Sequence, residues 1–264
     1  MIPKKIHYCW FSGNPLPAIA TKCMESWQRF CPNYEIIRWD ETNCDITVNQ
    51  FVQQAYEAKK WAFVSDYFRL KIVEEHGGIY LDIDVELLKP LDDLLILNGF
   101  MGFELGGVNL IATGLGFGAT PFHPLVTALR ENYENSPFIK PNGEFDTLPC
   151  PQRDTKVLVE YGLQQNNQKQ IVADMTFFPS DYFSPIGFYG EKNFSHNTYS
   201  IHHFNASWFT DRQRIATDRV KKLRDIFGVT LGNKINLLFL GWEELKYNGV
   251  KALIIKLIKF FELK

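Results

Sequence analysis

The sequence predicts an α/β fold in which a Rossmann-like central sheet is flanked by helices. Helix-like and strand-like segments alternate along the chain, and the apolar side chains change from helical spacing to strict alternation at Gly77-Gly78. The 264 residues are 45% hydrophobic and 15% aromatic, which is enough apolar material for one well-packed domain with an appendage. The net charge of −2 gives no indication of nucleic-acid binding.

The order of the predicted elements places a ligand site at one edge of the sheet. Strands are predicted at 5–11, 34–39, 79–85, 171–178 and 198–204, and helices at 18–30, 49–60, 62–75, 123–135, 155–162, 211–227 and 237–264. The Gly- and Pro-rich stretch 96–150 is expected to line a pocket or form a lid rather than to build regular structure. In such sheets ligands bind at the carboxyl ends of the strands, where Asp84 is expected to lie.

Two aspartates follow the glycine pair on one face of a predicted strand. Alternation over 79–85 turns the aliphatic side chains one way and Asp82 and Asp84 the other. Carboxylates at i and i+2 lie about 6–7 Å apart at the backbone, close enough to share a cation. The alternative is the solvated face of an edge strand, because short motifs often occur without a function.

The preceding helix carries an acid and a base on one face. Asp66 and Arg69 are three residues apart, and the tight glycine turn is expected to pack their helix against the strand of Asp82 and Asp84. Three carboxylates around one guanidinium suit a divalent cation together with a phosphorylated ligand. A purely structural ion pair is the alternative.

The stretch AFVSDYFRLKIVEEHGGIYLDIDV resembles the sugar-binding region of glycosyltransferases that contain a DXD motif, family 32 in the usual classification. IPKKIHYCWF, YEIIRWDE and IHHFNASW match in the family's order, over residues 2–208. The group includes capsular-polysaccharide and lipopolysaccharide sugar transferases and yeast-type initiating mannosyltransferases. The resemblance implies the GT-A nucleotide-sugar transferase fold, with a nucleotide-binding half (1–95), an acceptor half (96–210) and a C-terminal helical segment (211–264).

The resemblance also assigns roles to the acidic residues. It implies that Asp84 binds the cation that bridges the two phosphates of the nucleotide, and that Asp82 contacts the ribose or the sugar. Asp66 and Arg69 match the family's S-D-x-x-R helix, which implies that they hold the hydroxyls of the donor sugar. We therefore place Asp66, Arg69 and Asp82 in the catalytic set.

A second group of candidates lies near the end of the matching region. Because side chains alternate along a strand, only one of His202 and His203 can face the site. A histidine beside aspartates suits Mn²⁺ more than Ca²⁺, with Mg²⁺ as the other candidate cofactor. We prefer His203 as the ligand and keep His202 open. Ser207 and Trp208 are placed with the donor-binding residues, since an indole N–H can donate to a phosphate.

The remaining donor-binding candidates are spread over three elements. The resemblance places the first strand beside the base, where an aromatic side chain could stack, although a buried sheet aromatic is the alternative. The candidates are His7 and Trp10 on that strand, Ala62 and Ser65 on the key helix, and Tyr80 on the face of the two aspartates. At 150–155 the family's G-P-x-x-x-T pattern becomes CPQRDT, and we assign no sugar contact to this turn.

The function that the resemblance implies is metal-dependent transfer of a hexose from a UDP- or GDP-sugar to a glycan or lipid-linked acceptor, in capsule or lipopolysaccharide synthesis. The resemblance implies retention of configuration, and Asp181 and Glu104 are the weak candidates for the base that an inverting enzyme needs. A non-catalytic nucleotide-sugar or glycan-binding protein is one alternative. A metal-dependent phosphohydrolase is the other, and it requires a second metal about 3.5–4 Å from the first.

The surroundings of the protein are predicted from its cysteines and its C-terminal segment. Five cysteines without a C-x-x-C pair are typical of free thiols in a reducing compartment, and neither a signal peptide nor a membrane-spanning run is recognised, so we expect a cytoplasmic protein. The lysine-bearing apolar stretch 237–264 either packs on its own domain or lies at the inner face of a membrane.

Overall fold

A seven-stranded mixed sheet organises the larger of two units in the computed structural model, which describes residues 1–106, 108–205 and 211–262. The units are Met1–Trp208 and Phe209–Lys264. The strands of the larger unit are β1 (Lys5–Cys9), β2 (Glu35–Trp39), β3 (Gly78–Tyr80), β4 (Val85–Leu87), β5 (Gly99–Gly102), β6 (Phe117–Ala119), β7 (Gln170–Val172), β8 (Met175–Phe178) and β9 (Ser200–His202). Its helices are α1 (Ala18–Phe30), α2 (Gln50–Glu57), α3 (Trp61–His76), α4 (Pro124–Glu134) and α5 (Cys150–Glu160).

The large sheet has the strand order β2-β1-β3-β6-β5-β8-β7. The first three strands of this order are parallel, β6 is antiparallel to both of its neighbours, and β5 and β8 are parallel to each other. A separate two-stranded sheet pairs β4 with β9. The predicted α/β fold with helices around a central sheet is confirmed.

Two hydrophobic cores cover the two faces of the sheet. One contains apolar side chains of α2 to α5, and Tyr67 and Phe68 of α3 are fully buried in it. The other contains α1 and the small sheet, where the buried indole of Trp27 donates to the carbonyl oxygen of Val85 at 2.7 Å. This bond fixes α1 against the start of β4 and therefore against the acidic turn that precedes it.

Three sequence predictions for regular structure were wrong in detail. The strand predicted at 79–85 ends at Tyr80, because the chain turns through Asp82–Asp84 and starts a new strand at Val85. The stretch 96–150 contains two strands of the large sheet, since Gly99 and Gly118 allow very close packing. The strand predicted at 171–178 is a tight hairpin of β7 and β8, with Ala173 and Asp174 in left-handed conformations.

The smaller unit is built from the helical segment α6 (Asp211–Glu262). The segment is broken at Gly228 and Gly249, whose φ angles of 74° and 78° are non-helical and favour glycine. Across the first break the Arg219 guanidinium pairs with Glu243 at 2.6 Å, so two successive helices lie side by side. Among the described residues, no helix is both long and apolar enough to span a bilayer.

Candidate functional site

The acidic turn begins where β3 ends. The amide of Val85 donates to the carbonyl oxygen of Asp82 at 3.0 Å, which closes the turn and directs both carboxylates to the same side. The antiparallel register of β4 and β9 then sets Val85 opposite His202. Strand pairing therefore brings a histidine from the far end of the larger unit to the DXD aspartates.

Asp82, Asp84 and His202 form a group that could hold a metal ion. One ligand atom from each side chain lies within 4.8 Å of the others. His202 Nε2 is 3.2 Å from Asp84 Oδ1, while the amide of Asn205 donates to Asp84 Oδ2 at 2.8 Å. A mixed set of carboxylate and imidazole ligands can hold a divalent cation.

The protonation states of Asp84 and His202 depend on each other and on their nearest neighbours. Burial alone would raise the pKa of Asp84, but His202 and the Asn205 amide outweigh it and lower the pKa to about 2. Burial disfavours the imidazolium of His202, yet Asp84 and Asp82 raise the pKa of His202 above its usual value. Asp84 is therefore ionised at neutral pH, as a metal ligand must be.

The second histidine points away from the aspartates. His203 Nε2 lies 2.8 Å from Glu86 Oε2, and the same carboxylate pairs with Lys22 at 2.8 Å. The preference for His203 over His202 is therefore not supported by this geometry, which presents His202 to the aspartates. Ser207 and Trp208 lie outside the residues that the structure describes.

As predicted, the Asp66–Arg69 pair of α3 contacts the turn that carries Asp82 and Asp84. Arg69 Nη2 lies 3.1 Å from Asp66 Oδ1 and 3.1 Å from Asp82 Oδ1, so one guanidinium edge joins both carboxylates. The Tyr80 hydroxyl donates to Asp82 Oδ1 at 2.9 Å, and the guanidinium lies 5.1 Å from the centre of the Tyr80 ring. Tyr80 is almost fully buried, so its hydroxyl group holds the Asp82 carboxylate from the interior of the protein.

The turn and α3 are supported by residues that we did not select from the sequence. The buried Thr113 hydroxyl lies 3.5 Å from Arg69 Nη1 and donates to Asp154 Oδ2 at 2.9 Å. Cys150 Sγ is also 3.5 Å from Arg69 Nη1. The segment CPQRDT was the available signal for Cys150 and Asp154, whereas Thr113 lies in a Gly-rich loop without a motif.

Burial raises the pKa values of two carboxyl groups near Arg69, those of Asp66 and Asp154. The pKa of Asp66 is raised to about 6, because burial outweighs the attraction of Arg69. Burial and the neighbouring Asp66 raise the pKa of Asp154 to about 7. These groups titrate close to neutral pH, in contrast to Asp84, which faces the candidate metal position.

The other predicted donor-binding residues make internal contacts. His7 is fully buried, and its Nδ1 accepts a hydrogen bond from the indole N–H of Trp39 at 3.1 Å. Its Nε2 lies 2.9 Å from the carbonyl oxygen of Gly77, within hydrogen-bond distance. Trp10, which is partly exposed, donates to the Asn14 carbonyl oxygen at 2.7 Å. His7 therefore braces β1 and the glycine turn, whereas Trp10 keeps part of its ring available.

Two small residues of α3, Ala62 and Ser65, were selected from the sequence as positions where a ligand could approach the helix closely. Both are half-buried near the start of the helix, where Ala62 lies one turn before Asp66 and Ser65 immediately before it. The Ser65 hydroxyl donates to the Trp61 carbonyl oxygen at 3.1 Å within the same helix. Neither side chain contacts the Asp82–Asp84–His202 group through a hydrogen bond in the part of the chain that is described.

The fold and the site together combine an α/β sheet with an acidic turn after a parallel strand, and the side chains at this turn could hold a metal ion. Residues 17–101 match the family described as "Glycosyltransferase sugar-binding region containing DXD motif". This match covers 85 of the 264 residues and, together with the relatives below, identifies the chain as a glycosyltransferase. The α/β architecture agrees with the GT-A type that the sequence resemblance implies.

Three of the curated relatives are named as glycosyltransferases or mannosyltransferases. An uncharacterized glycosyltransferase of Acanthamoeba polyphaga mimivirus is 26% identical over 218 residues, which are 79% of this chain and 84% of that protein. The initiation-specific alpha-1,6-mannosyltransferase of Candida albicans is 30% identical over 101 residues, 34% of this chain and 26% of that enzyme. The chain thus spans most of the viral relative and about a quarter of the fungal one.

Likeness to solved structures is remote. The PaToxG glycosyltransferase has a TM-score of 0.45 and 16% sequence identity, with 60% of this chain and 69% of that chain covered. The assignment as a glycosyltransferase therefore rests on the sequence matches.

Gly114 is expected to be required at the site because a methyl group there would collide with Asp82 Oδ2. We expect Gly114→Ala to displace the Asp82 carboxylate and to lower glycosyl-transfer activity about 100-fold, since misplaced site groups are costly. Gly106→Ala is the matched control, because nothing lies within 4 Å of its added methyl group. Equal activity of the two variants in a nucleotide-release assay would contradict the prediction.

The raised pKa of Asp154 predicts a pH-dependent stability. The folded pKa of about 7 lies above the unfolded value of 3.8, so the folded state binds the extra proton and loses stability as pH rises from about 4 to about 7. Asn cannot ionise, so Asp154→Asn should gain stability relative to the natural protein at pH 8, by at most ~4 kcal/mol. Urea unfolding at pH 5 and pH 8 measures the difference, and a pH-independent difference would sink the prediction.

Proposed function

We propose that the protein transfers a hexose from a UDP- or GDP-sugar to a glycan or lipid-linked acceptor with retention of configuration, in the synthesis of a surface polysaccharide such as capsule or lipopolysaccharide. The observation that carries the proposal is the Asp82–Asp84–His202 group beside the Asp66–Arg69 pair. The Asp82–Asp84–His202 group can hold a cation, and the Asp66–Arg69 pair can bind sugar hydroxyls. A metal-bound sugar nucleotide needs both.

The metal in this proposal is Mn²⁺ or Mg²⁺, held by Asp84 and His202 with Asp82 beside them. Two observations support the fit. Asp84 stays ionised, and the buried His202 Nδ1 has no hydrogen-bond partner among the described residues, so a polar atom at the site is left for a further partner. When bound, a divalent cation neutralises the negative charge that develops on the departing diphosphate.

The side chains supply orientation and charge for the transfer. Asp66 and Arg69 hold the sugar hydroxyls through paired hydrogen bonds, and Arg69 and Tyr80 keep Asp82 in place. The bond between the anomeric carbon and the diphosphate oxygen breaks, and a bond to the acceptor oxygen forms on the same face. In this retaining scheme, the acceptor proton moves to the departing phosphate, so the protein need not provide a base.

The relatives support a hexose donor. The Candida albicans enzyme is named as a mannosyltransferase, which makes GDP-mannose one of the donors to be tested, beside the UDP-hexoses. A phosphohydrolase with two metals has less support, since Asp82–Asp84–His202 is the single group of three or more metal-ligating side chains found among the described residues. A non-catalytic binding protein would bind the donor without turnover.

A donor panel tests the proposed function. Purified protein is mixed with UDP-Glc, UDP-Gal, UDP-GlcNAc, UDP-GalNAc or GDP-Man, with Mn²⁺ or with EDTA, and released UDP or GDP is measured. We expect one donor to be hydrolysed with Mn²⁺ only, and Asp84→Ala to lower the rate by at least about 100-fold, because it removes a metal ligand.

The controls separate loss of the metal site from loss of the fold. Asp93→Ala removes an exposed carboxylate from the same unit and should leave the rate unchanged. His202→Ala should raise the Mn²⁺ concentration for half-maximal rate far more than His203→Ala, whose ring contacts Glu86. No binding of any donor by calorimetry would overturn the proposal, whereas binding without turnover, even with acceptor glycans added, would favour the binding protein.

The C-terminal segment is proposed to rest on the inner face of a membrane. Residues 211–264 contain 12 Lys and Arg against six Asp and Glu, a net charge of +6, whereas residues 1–210 contain 16 against 24, a net charge of −8. Large apolar side chains are exposed on the same segment, among them Leu238 at 75% and Trp242 at 58%. Apolar side chains with surrounding lysines are typical of helices that bind anionic lipid surfaces.

Vesicle sedimentation tests this membrane contact. We expect the protein to sediment with phosphatidylglycerol vesicles and much less with phosphatidylcholine vesicles, and salt to weaken the binding, since part of it is electrostatic. The double variant Leu238→Glu, Trp242→Glu should lose most of the binding. The control Ile171→Glu changes a side chain that is 68% exposed in the larger unit, and an equal loss there would contradict the proposal.

A further inference from the structure

A chain of buried hydrogen bonds connects α5 to the Arg69 guanidinium. Thr113 and Asp154 are 0% and 1% exposed, and the Thr113 hydroxyl donates to Asp154 Oδ2 at 2.9 Å. Asp154 is itself held on its other oxygen by the Tyr133 hydroxyl at 3.3 Å. Because a hydroxyl has one hydrogen, the bond to Asp154 leaves the Thr113 oxygen to accept from Arg69 Nη1, which lies at 3.5 Å.

The same helix fixes the backbone of the loop that carries Thr113. The amide of Ile111 donates to the Thr155 hydroxyl at 2.8 Å, so neighbouring residues of α5 bond two points of the loop. Both terminal nitrogens of the Arg69 guanidinium thereby have partners. Nη2 meets Asp66 and Asp82, while Nη1 meets Thr113 and the Cys150 thiol.

We infer that Thr113 and Asp154 are positioning residues that set the orientation of the Arg69 guanidinium toward the donor sugar. The inference rests on the proposed function, in which Arg69 binds the sugar hydroxyls. A guanidinium recognises a pair of oxygens through a fixed planar fork, so its rotation matters as much as its position. Thr113 and Asp154 touch Arg69 or its partner and need no contact with the substrate.

Two threonine variants separate positioning from stability. Thr113→Val removes the hydroxyl with little change of shape. Thr127→Val removes a similar bond, since the Thr127 hydroxyl donates to Glu74 Oε1 at 2.7 Å in the same unit but outside the Arg69 contacts. Both variants lose one hydrogen bond to a buried carboxylate, so a purely structural role would affect them alike.

The kinetic test uses the donor of the panel that the natural protein hydrolyses, with Mn²⁺. We expect Thr113→Val to raise the KM for this sugar nucleotide about 10-fold, Thr127→Val to leave it unchanged, and Thr113→Ser to restore it. Affinity for UDP or GDP alone, measured by calorimetry, should be the same in all three variants, because the contact concerns the sugar. Equal KM values for the two valine variants would overturn the inference.

A second measurement does not depend on any donor. In ¹H–¹⁵N spectra of the arginine guanidinium groups, Arg69 is assigned by the signal that Arg69→Lys removes. We expect restricted rotation and a distinct shift for its Nη groups in the natural protein and in Thr127→Val, and a lost or averaged signal in Thr113→Val. An unchanged Arg69 signal in Thr113→Val would reject the positioning role even if the proposed transferase activity is established, whereas Asp84→Ala with full activity would reject the metal site alone.

Discussion

The site depends on the Arg69 guanidinium, which compensates two carboxylates at once. Asp66 and Asp82 each lie 3.1 Å from the same nitrogen, and the Arg69 side chain is almost fully buried. Removing one partner of such a pair leaves an uncompensated buried charge and costs several kcal/mol, typically about 3–5. The arginine thus joins α3 to the acidic turn and also fixes the carboxylate that stands beside the metal position.

The pKa values of the carboxyl groups shift in opposite directions at different places in the site. On the side of the candidate metal, His202 and a backbone amide keep Asp84 ionised, with a pKa of about 2. On the protein side, burial raises the pKa values of Asp66 and Asp154 to about 6 and about 7. Asp84 is therefore ionised where a cation could bind, whereas Asp66 and Asp154 change their protonation near neutral pH.

Sequence patterns predicted the local features well. The helix predicted at 18–30 coincides with α1, because a proline start and helical spacing are local signals. The meeting of Asp66 and Arg69 with Asp82 was predicted from a helix and a strand joined by two glycines, and the short connection left few other arrangements. The boundaries of the strand at 79–85 failed, since alternation continues through a turn that preserves the same facing of side chains.

By itself, the sequence determined the α/β class, the two aspartates of the DXD motif and the acid–base pair of α3, because short-range spacing along the chain encodes each of them. Only the tertiary structure decided which histidine joins the aspartates: the register of β4 on β9 turns His202 inward and leaves His203 to Glu86. It also decided the contact between Thr113 and Asp154, which meet through the packing of α5 on a loop. Contacts between distant segments depend on how whole elements pack, and no local spacing encodes that packing.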